Sequence, residues 1–327
     1  MCAARKYFCS LDMCGSSRET GRMERPIDES ERAARLIGQL PPAATLAWLV
    51  DELAATAVVE VRQMHGGSTA AMHRVRLIER QDNEREAVLR RYVRPEILSE
   101  TPDVAELEAR ALQLAERLPI PTPVLLAVDP NGDRADAPAL VMTLLDGRPV
   151  WENRWGDKWV SQAVDAMIAL HDVDASDAGM PSLSTYAQQR YDPPRWTNDP
   201  ELWERAVELF HGPVPTSDVG FVHRDFNPGN VLWVRQQLSG LVDWQWACNG
   251  PRSIDPAHCR LNLFQYSATM ADEVRTVWEQ RSGLAFDPWA DVASIIGTLD
   301  NLRRRRDPNA ATWAIEKALK NAVHALS

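Results

Sequence analysis

The sequence predicts an α+β protein with two lobes, a small β-rich lobe followed by a larger, mainly helical one. Short runs of β-branched and apolar residues, separated by polar turns, fill the chain up to about residue 145. After Asp146-Gly147, apolar residues recur at the three- and four-residue spacing of helices. Short β runs return between Phe221 and Trp244 and enclose a polar loop, which predicts a β-hairpin inserted into the helical lobe.

Composition excludes several classes of protein. With 327 residues, 45% of them hydrophobic and 25% charged, the chain is typical of a globular protein with a sizeable core. Its net charge of −10 argues against general binding of nucleic acid, which rests on a basic surface. No apolar run approaches the roughly 20 residues that span a bilayer. We therefore expect a cytoplasmic protein with neither nucleic acid nor membrane as partner.

The first 27 residues show no hydrophobic period, and Met23 offers an alternative start. We interpret residues 1–27 as a disordered tail or a start-site artefact, 28–145 as the first lobe and 146–327 as the second. The cysteine count of five is odd and contains no C-x-x-C pair, which argues against a disulfide framework or a zinc site.

In the first lobe, a helical pattern in pieces runs from Asp28 to about Leu53. The predicted strands are Val58–Gln63, Met72–Ile78 and Ala87–Val93, followed by a helix over Val104–Leu118 and a hairpin of Val124–Val128 with Ala139–Leu145. In the second lobe, the predicted helices are Trp159–His171, Pro200–Phe210 and Tyr266 to the end of the chain.

The segment from Val222 to Asp243 carries the chemistry. Asp225 and Asn230 bracket a five-residue loop, and a hairpin from Val231 to Val242 would return Asp243 beside Asn230. Phosphoryl transfer needs a carboxylate that orients the incoming hydroxyl and hard oxygen ligands for magnesium. One base with two oxygen ligands is the set that this unit offers.

The residues His223-Arg-Asp225 and Asn230, with Asp243 further on, resemble the H-x-D-x-x-x-x-N motif and metal-binding Asp of the aminoglycoside phosphotransferase and choline kinase-like family. The resemblance implies a bilobal protein-kinase-like fold, with Asp225 as the catalytic base and Asn230 and Asp243 as Mg²⁺ ligands. It further implies that His223 packs under the loop and that Asp255 braces the loop from behind.

The same resemblance assigns nucleotide-binding residues to the first lobe. The loop residues Gly66, Gly67 and Ser68 would approach phosphate, although a plain hairpin turn explains them equally well. Because the chain has no lysine from Tyr7 to Asp157, Arg90 is expected to replace the family's phosphate-binding lysine, with Arg91 as the alternate.

The helix after these strands should supply a glutamate that orients this cation. Glu108 matches the family's pattern, and Glu106 is its competitor. Thr143 to Leu145 would form the segment whose backbone pairs with the nucleotide base.

We therefore expect a kinase that uses ATP, or GTP, with Mg²⁺ to phosphorylate a hydroxyl of a small molecule. Within this class the acceptor stays open among aminoglycosides, macrolides, choline, homoserine and sugars. Acidic residues could face a polycation, namely Glu201, Glu204, Asp272, Glu273, Asp287 and Asp291; tryptophans could instead form apolar walls, among them Trp151, Trp155, Trp196, Trp203, Trp278 and Trp289. A pseudokinase that only binds nucleotide is the alternative from another class, and the missing lysine is its support.

Overall fold

The structure, a computed structural model, describes residues 29–64, 67, 69–80, 82–150, 158–184, 192–303 and 308–327. The described residues form two compact units. The first contains those up to Ala105 together with Leu126–Met142, and the second contains Glu106–Leu125 and the residues from Thr143 onward. Segment 106–125, which the sequence placed in a lobe of residues 28–145, thus clusters with the second unit.

The first half of the chain alternates helices with the strands of one sheet. Its elements are α1 Glu29–Ile37, α2 Ala43–Glu52, β1 Ala55–Gln63, β2 Ala71–Glu79, β3 Glu84–Arg91, α3 Pro95–Glu100, α4 Val104–Ala115, β4 Leu125–Asp129 and β5 Ala139–Thr143. The strands form a five-stranded sheet of order β1-β2-β3-β5-β4, with β1–β2 and β2–β3 antiparallel. The strands and helices predicted for this region agree with the structure except α3, which the sequence did not predict.

The core of the first unit lies between this sheet and α2. Alternate residues of β2 point to one face, where Val75 and Leu77 are fully buried, as the period of two requires. Trp48 and Leu49 of α2 pack against this face together with Leu89 of β3. Burial of these side chains removes apolar surface from water and holds the helix to the sheet.

The second half is mainly helical. Its elements are α5 Trp159–His171, α6 Pro200–Phe210, β6 Val219–Val222, β7 Val231–Val234, β8 Gln237–Leu241, β9 Cys248–Pro251, α7 Ile254–Leu263, α8 Ala268–Ser282, α9 Pro288–Gly297, α10 Leu299–Arg303 and α11 Ala310–Ala325. Antiparallel pairing joins β6 with β9 and β7 with β8, so the predicted β-hairpin is present. None of the described helices has the length and hydropathy needed to cross a membrane.

Helix α7 and strand β9 were not predicted. Almost every residue of α7 is buried, including the charged Asp255 and Arg260. A helix that is buried on all faces shows no amphipathic period, which is the signal that predicts helices from sequence. By contrast, α6 and α9 each begin with a proline after a capping aspartate, Asp199 and Asp287, and such starts are readable in the sequence.

A buried histidine lies inside the first unit. His73 of β2 is fully buried, and neither of its ring nitrogens has a hydrogen-bond partner among the described residues. Burial, and secondarily the nearby charge of Arg91, lowers the pKa of His73 from 6.5 to about 4. The imidazole is therefore neutral in the folded protein at pH values where it is protonated in the unfolded chain.

This difference in pKa predicts an acid-dependent loss of stability. Between pH 6.5 and about pH 4, His73 is protonated in the unfolded chain and neutral in the folded protein. The free energy of unfolding therefore falls as the pH is lowered through this range. Once the pH is below about 4, this shift has lowered the free energy of unfolding by about 3 kcal/mol. In His73→Leu, urea unfolding at pH 7 and pH 4.5 should show a smaller loss of stability than in the wild type. The same substitution at the exposed His324 is the control, and equal losses in both variants would contradict the prediction.

Candidate active site

The loop of residues 223–230 joins β6 to β7. The partner strands, β9 of β6 and β8 of β7, determine which residues lie next to this loop. Val222 at the end of β6 pairs with Cys248 of β9, which brings the start of α7 behind the loop. After the β7–β8 hairpin, the backbone N–H of Val242 donates to the carbonyl oxygen of Asn230 at 2.9 Å. Asp243 therefore follows directly beside Asn230.

Three side chains hold the carboxylate of Asp225. Its Oδ1 accepts from Asn227 Nδ2 at 3.0 Å and from His258 Nε2 at 2.9 Å. Its Oδ2 accepts from Asn230 Nδ2 at 2.9 Å. The side chain is 28% exposed, so it is oriented by protein groups and still open to a ligand.

The surroundings keep Asp225 ionised. Burial alone would raise the pKa of its carboxyl group, but the hydrogen bond and charge of His258, the charge of His223 and the hydrogen bond from Asn227 outweigh burial and hold the pKa below its usual range. A carboxylate accepts hydrogen bonds and cannot donate them, so His258 carries its proton on Nε2. Asp225 is thus an anion, ready to accept a hydrogen bond from a hydroxyl, across the neutral pH range.

A second carboxylate, that of Asp255 at the start of α7, lies behind the loop and is completely buried. Its Oδ1 accepts from the backbone N–H of Arg224 at 2.7 Å, and its Oδ2 accepts from the backbone N–H of His223 at 3.0 Å. The ring nitrogen Nε2 of His171 lies 3.0 Å from Oδ2 as well. Asp255 thus ties the first two residues of the loop to α5 and α7.

His223 is buried below the loop and is not placed to touch a substrate. Its Nε2 donates to the carbonyl oxygen of Val242 at 3.0 Å. The ring packs against Trp244 at a centroid distance of 4.8 Å and against Phe226 at 6.1 Å. These contacts hold the 223–230 loop and the segment around Asp243 together.

Two residues of the site adopt the left-handed backbone conformation that side chains disfavour. The φ angles are +66° at Arg224 and +74° at Asp243. Such a conformation costs roughly 1–2 kcal/mol for a residue with a Cβ. Strain of this kind is found where a side chain must be aimed at a site, and both residues flank Asp225 or Asn230.

Asn230 and Asp243 form a donor set that suits magnesium. Because Asn230 uses its amide nitrogen on Asp225, its amide oxygen remains available as a ligand beside the carboxylate of Asp243. The described residues contain no group of three or more His, Cys, Asp or Glu side chains that could hold a metal by themselves. Magnesium typically takes one or two protein ligands and completes its shell with water and phosphate oxygens, so the two residues fit this ion.

The two arginines of β3 have different surroundings. Arg91 is buried and donates to Asp136 Oδ2 at 2.8 Å and to the carbonyl oxygen of Gln39 at 3.3 Å. Arg90 is 3% exposed, with its guanidinium carbon 5.5 Å from the ring centre of Tyr92. Of the two, Arg91 is committed to a structural ion pair, so Arg90 stays the candidate for phosphate binding.

The remaining first-lobe candidates are only partly described. Glu108 lies on α4 and is buried, at 1% exposure, whereas Glu106 is exposed and pairs with Arg110. Gly66 and Ser68 lie outside the described residues. Gly67 is exposed, and a Cβ there would meet Ala70 and Met72 only at ordinary contact distances, so packing does not demand glycine at this position.

The Thr143–Leu145 segment is followed by Gly147, which lies close to Ser239 in the β7–β8 hairpin. The backbone N–H of Thr143 already donates to the carbonyl oxygen of Val124 at 3.0 Å, so it cannot pair with a base. Leu145 makes no backbone hydrogen bond to described residues and stays the candidate. Gly147 follows with φ +110°, where any Cβ would collide with Ser239.

A cavity of about 190 Å³ opens beside Asp225 within the second unit. Arg224, Asp225 and His258 line it on one side. Its other walls are mostly apolar and include Leu183, Ser184, Phe210, Trp246, Ile254, Trp289, Ala293, Ser294, Gly297 and Thr298. Ser294 is 5% exposed, and its hydroxyl has no hydrogen-bond partner among the described residues.

None of the acidic residues suggested for a polycation lines this cavity. Asp291 is buried and takes two hydrogen bonds from Arg260 Nη1, at 2.6 and 2.5 Å, and Asp287 caps the first turn of α9. For these two, the expectation is wrong because they serve the fold. Of the tryptophans named as walls, Trp289 lines the cavity, Trp196, Trp203 and Trp278 are core, and Trp151 and Trp155 lie outside the described residues.

Sequence reasoning missed two partners of Asp225. Asn227 bridges the loop, since its Nδ2 donates to Asp225 and its Oδ1 accepts from the backbone N–H of Gly229 at 2.8 Å. His258 comes from α7, the helix without an amphipathic period. Its spacing of three residues from Asp255 would have placed both on one side of a helix, had the helix been recognised.

The profile of the phosphotransferase enzyme family matches residues 70–289, more than half of the chain. The chain belongs to this family. The matched segment contains β2 to the start of α9 and therefore the whole 223–230 loop, Asp243 and Asp255.

The proteins to which this chain is similar carry the names of different phosphotransferases. A homoserine kinase of Rhodospirillum rubrum is 30% identical over 164 residues, 44% of this chain and 49% of that protein, so the chain matches about half the relative's length. The macrolide 2′-phosphotransferase MphH of Brachybacterium faecium superposes with a TM-score of 0.54 at 16% identity, over 85% of this chain and 98% of that one. An aminoglycoside phosphotransferase APH(4)-Ia mutant, in complex with AMP-PNP and hygromycin B, gives 0.53 at 15% identity, over 87% and 99%.

At these identities the two solved structures show the fold alone. The protein-kinase-like α+β fold that the sequence predicts is thereby confirmed.

The contact between His258 and Asp225 leads to a prediction. His258→Ala should lower kcat about 10-fold, because one of three groups that orient the carboxylate is lost. The pKa of Asp225 should rise, since burial is then less opposed, and the acid limb of the pH–rate profile should move to higher pH. The exposed His324→Ala is the control. An unchanged profile in His258→Ala would show that the contact has no influence on Asp225.

Proposed function

We propose that the protein is a magnesium-dependent kinase that transfers the γ-phosphate of a nucleoside triphosphate to a hydroxyl of a small molecule. The observation that carries this proposal is the Asp225 carboxylate, oriented by three side chains, one of them Asn230, at the edge of a cavity. Asp243 directly follows Val242, whose backbone N–H donates to the carbonyl oxygen of Asn230. The cytoplasm, expected from the sequence, stays a prediction.

Asp225 is the base in this proposal. Its Oδ1 already accepts two hydrogen bonds, whereas Oδ2 accepts one, so Oδ2 is the atom that would receive the acceptor's hydroxyl proton. The acceptor oxygen forms a bond to the γ-phosphorus as the bond to the β,γ-bridging oxygen breaks. The nucleoside diphosphate leaves, and the proton resides on Asp225 until it passes to water. Positioning supplies much of the rate in such transfers.

Asn230 and Asp243 would hold Mg²⁺ through their side-chain oxygens. Bound there, the ion would neutralise charge on the phosphates, which is its usual contribution to phosphoryl transfer. The chain's own part is to fix both ligands relative to the base, through the amide of Asn230 on Asp225 and the Val242 to Asn230 backbone bond.

For the nucleotide, we propose Arg90 and the loop at Gly66, Gly67 and Ser68 as phosphate-binding residues. The role expected for Glu108 from the sequence stays a prediction. The backbone of Leu145 is the proposed contact for the base, which is that of ATP or GTP. AMP-PNP bound to APH(4)-Ia supports a nucleotide as the co-substrate. The names of the similar proteins mention homoserine, a macrolide and bound hygromycin B, all of which carry hydroxyl groups.

Replacement of the base tests the activity. Asp225→Asn should lower kcat by about 10²- to 10⁴-fold, because the amide cannot accept the hydroxyl proton. Affinity for nucleotide with Mg²⁺ should stay near that of the wild type, since both metal ligands remain. Release of nucleoside diphosphate and nucleotide binding by fluorescence measure the two quantities. Turnover that survives in this variant would remove Asp225 as the base, and nucleotide binding without turnover in the wild type would favour a pseudokinase.

Replacement of the metal ligand tests the cation. In Asp243→Asn, the affinity for ATP with Mg²⁺ should fall towards the value measured in EDTA, because the charged ligand is gone. Asparagine tolerates the left-handed conformation of this position, so the change should not unfold the loop. The exposed Asp218, with φ +52°, offers a matched control in Asp218→Asn. A magnesium-dependent affinity equal to that of the wild type would defeat the assignment.

A further inference from the structure

The cavity beside Asp225 has walls of different chemistry. At Asp225 the wall is polar, and the hydroxyl to be phosphorylated would lie there. Helices α6 and α9 contribute other walls, through Phe210, Trp289, Ala293, Ser294 and Gly297. None of these five described residues carries a charge. A ligand that extends from Asp225 to these helices therefore contacts a surface that is mainly hydrocarbon.

One polar atom interrupts this apolar surface, the hydroxyl oxygen of Ser294. The residue is 5% exposed, and its Oγ has no hydrogen-bond partner among the described residues. Other polar groups of α9 are satisfied: Trp289 Nε1 donates to the carbonyl oxygen of Leu209 at 3.3 Å, and the Thr298 hydroxyl donates to that of Ser294 at 3.2 Å. A buried hydroxyl without a partner is destabilising unless a ligand or water completes its hydrogen bond. Ser294 therefore marks the point at which a bound ligand would supply a polar group.

The surroundings of Ser294 determine the charge of that polar group. The described residues of α6 and α9 that line the cavity offer no opposite charge to an ionised group. Transfer of an unpaired charge to apolar surroundings costs far more than transfer of a neutral polar group. A serine hydroxyl both donates and accepts, so it can satisfy a neutral hydroxyl. The partner of Ser294 is therefore an uncharged hydrogen-bonding group.

Gly297 leaves room for a ligand at the exposed end of the same helix face. It lies between Ala293 and Ser294 around the helix axis, because four residues make slightly more than one turn, and all three residues line the cavity. A Cβ at Gly297 would meet no neighbouring heavy atom within 4 Å, so packing does not demand glycine there. The cavity volume of about 190 Å³ lies below the range of about 300–1,000 Å³ that holds drug-sized ligands, which favours a compact molecule.

We propose that the acceptor is a compact, uncharged diol. One hydroxyl lies at Asp225, the carbon framework contacts α6 and α9, and the second hydroxyl binds Ser294 Oγ. This inference rests on the proposed kinase activity and names the acceptor class of the same site. The class differs from homoserine, which the name of one similar protein mentions, in that it carries no charge. Ser294 recognises the second hydroxyl, and Gly297 limits the size of the acceptor.

The test uses acceptors that share one carbon ring and differ in a single group. Cyclohexanol, the positional isomers of cyclohexanediol, and the corresponding aminocyclohexanols and hydroxycyclohexanecarboxylates are assayed for nucleoside diphosphate release with ATP or GTP and Mg²⁺. Homoserine, hygromycin B and a macrolide complete the panel. At least one diol should have a kcat/KM about 10-fold above those of cyclohexanol and of its charged counterparts. Preference for a charged or larger acceptor over every diol would overturn the inference and leave the kinase activity standing.

Replacement of Ser294 separates recognition from structure. Ser294→Ala removes a hydroxyl that has no partner in the free protein, so its Tm should equal or exceed that of the wild type. KM for the preferred diol should rise about 10-fold, whereas kcat/KM for cyclohexanol and KM for ATP should stay unchanged, because neither involves the Ser294 hydroxyl. The exposed Ser99 of α3 offers the control in Ser99→Ala. Equal effects of Ser294→Ala on diol and cyclohexanol would overturn the assignment.

Replacement of Gly297 tests the size limit. In Gly297→Leu, the added side chain should occupy the open space and raise KM for the preferred diol about 10-fold or more, with KM for ATP unchanged. Gly297→Ala adds a single methyl group at the same place and is the matched control, in which KM should change little. Wild-type kinetics with the diol in Gly297→Leu would show that the diol does not bind along this face of α9.

A binding measurement without turnover distinguishes this inference from the kinase activity. Isothermal titration calorimetry gives the Kd of each diol for the wild type and Ser294→Ala, in the presence of ADP and Mg²⁺. A diol that binds through Ser294 but is not phosphorylated would leave the ligand class standing and remove the kinase activity. If no diol binds and none is phosphorylated, the inference is overturned, whichever other acceptor is phosphorylated.

Discussion

The geometry of the site depends on one buried carboxylate. Asp255 accepts the backbone N–H groups of two successive loop residues, and His171 of α5 lies against the same oxygen. Each of these groups would be left without a partner in a buried position if the carboxylate were absent, at a cost of about 1–3 kcal/mol per group. The anchored residue Arg224 adopts a left-handed backbone conformation, with φ +66°, and its N–H is bonded to Asp255 at 2.7 Å. The position of Asp225, one residue further, follows from it.

Polar groups around the loop form two layers. Below it, Asp255, His171 and His223 are fully or almost fully buried; Asp255 and His223 bond backbone groups, and His171 lies against the Asp255 carboxylate. Above it, Asn227, Asn230 and His258 bond the side chain of Asp225, which remains partly exposed. The lower layer fixes the backbone of the loop, and the upper layer orients the carboxylate of Asp225. Such preorganisation lowers the reorganisation that a bound substrate must impose, which is a general source of catalytic rate.

The sequence predicts much of this arrangement where the signal is local. The spacing of Asn230 and Asp243 predicts a hairpin that returns Asp243 beside Asn230, and the backbone bond from Val242 to Asn230 agrees with this geometry. Features that depend on burial could not be predicted. Helix α7 has no amphipathic pattern, so neither the helix nor the position of its residue His258 near Asp225 could be predicted. The charge of a residue also does not show whether it is buried. Asp291 resembles a surface acid in the sequence, yet it is buried in an ion pair with Arg260. Arg90 and Arg91 are adjacent in the sequence, and their different contacts, among them the ion pair of Arg91 with Asp136, appear only in the structure.

The origin of the walls around Asp225 has an evolutionary consequence. The proposed base Asp225, both proposed metal ligands, Asp255 and His258 all fall between the end of β6 and the middle of α7, within one continuous stretch of chain. Much of the opposite wall comes from α6 and α9, through Phe210, Trp289 and Ser294. Substitutions in these two helices can therefore change the shape of the cavity without altering the residues proposed for phosphate transfer. The cavity wall and the proposed catalytic residues can thus vary independently in evolution.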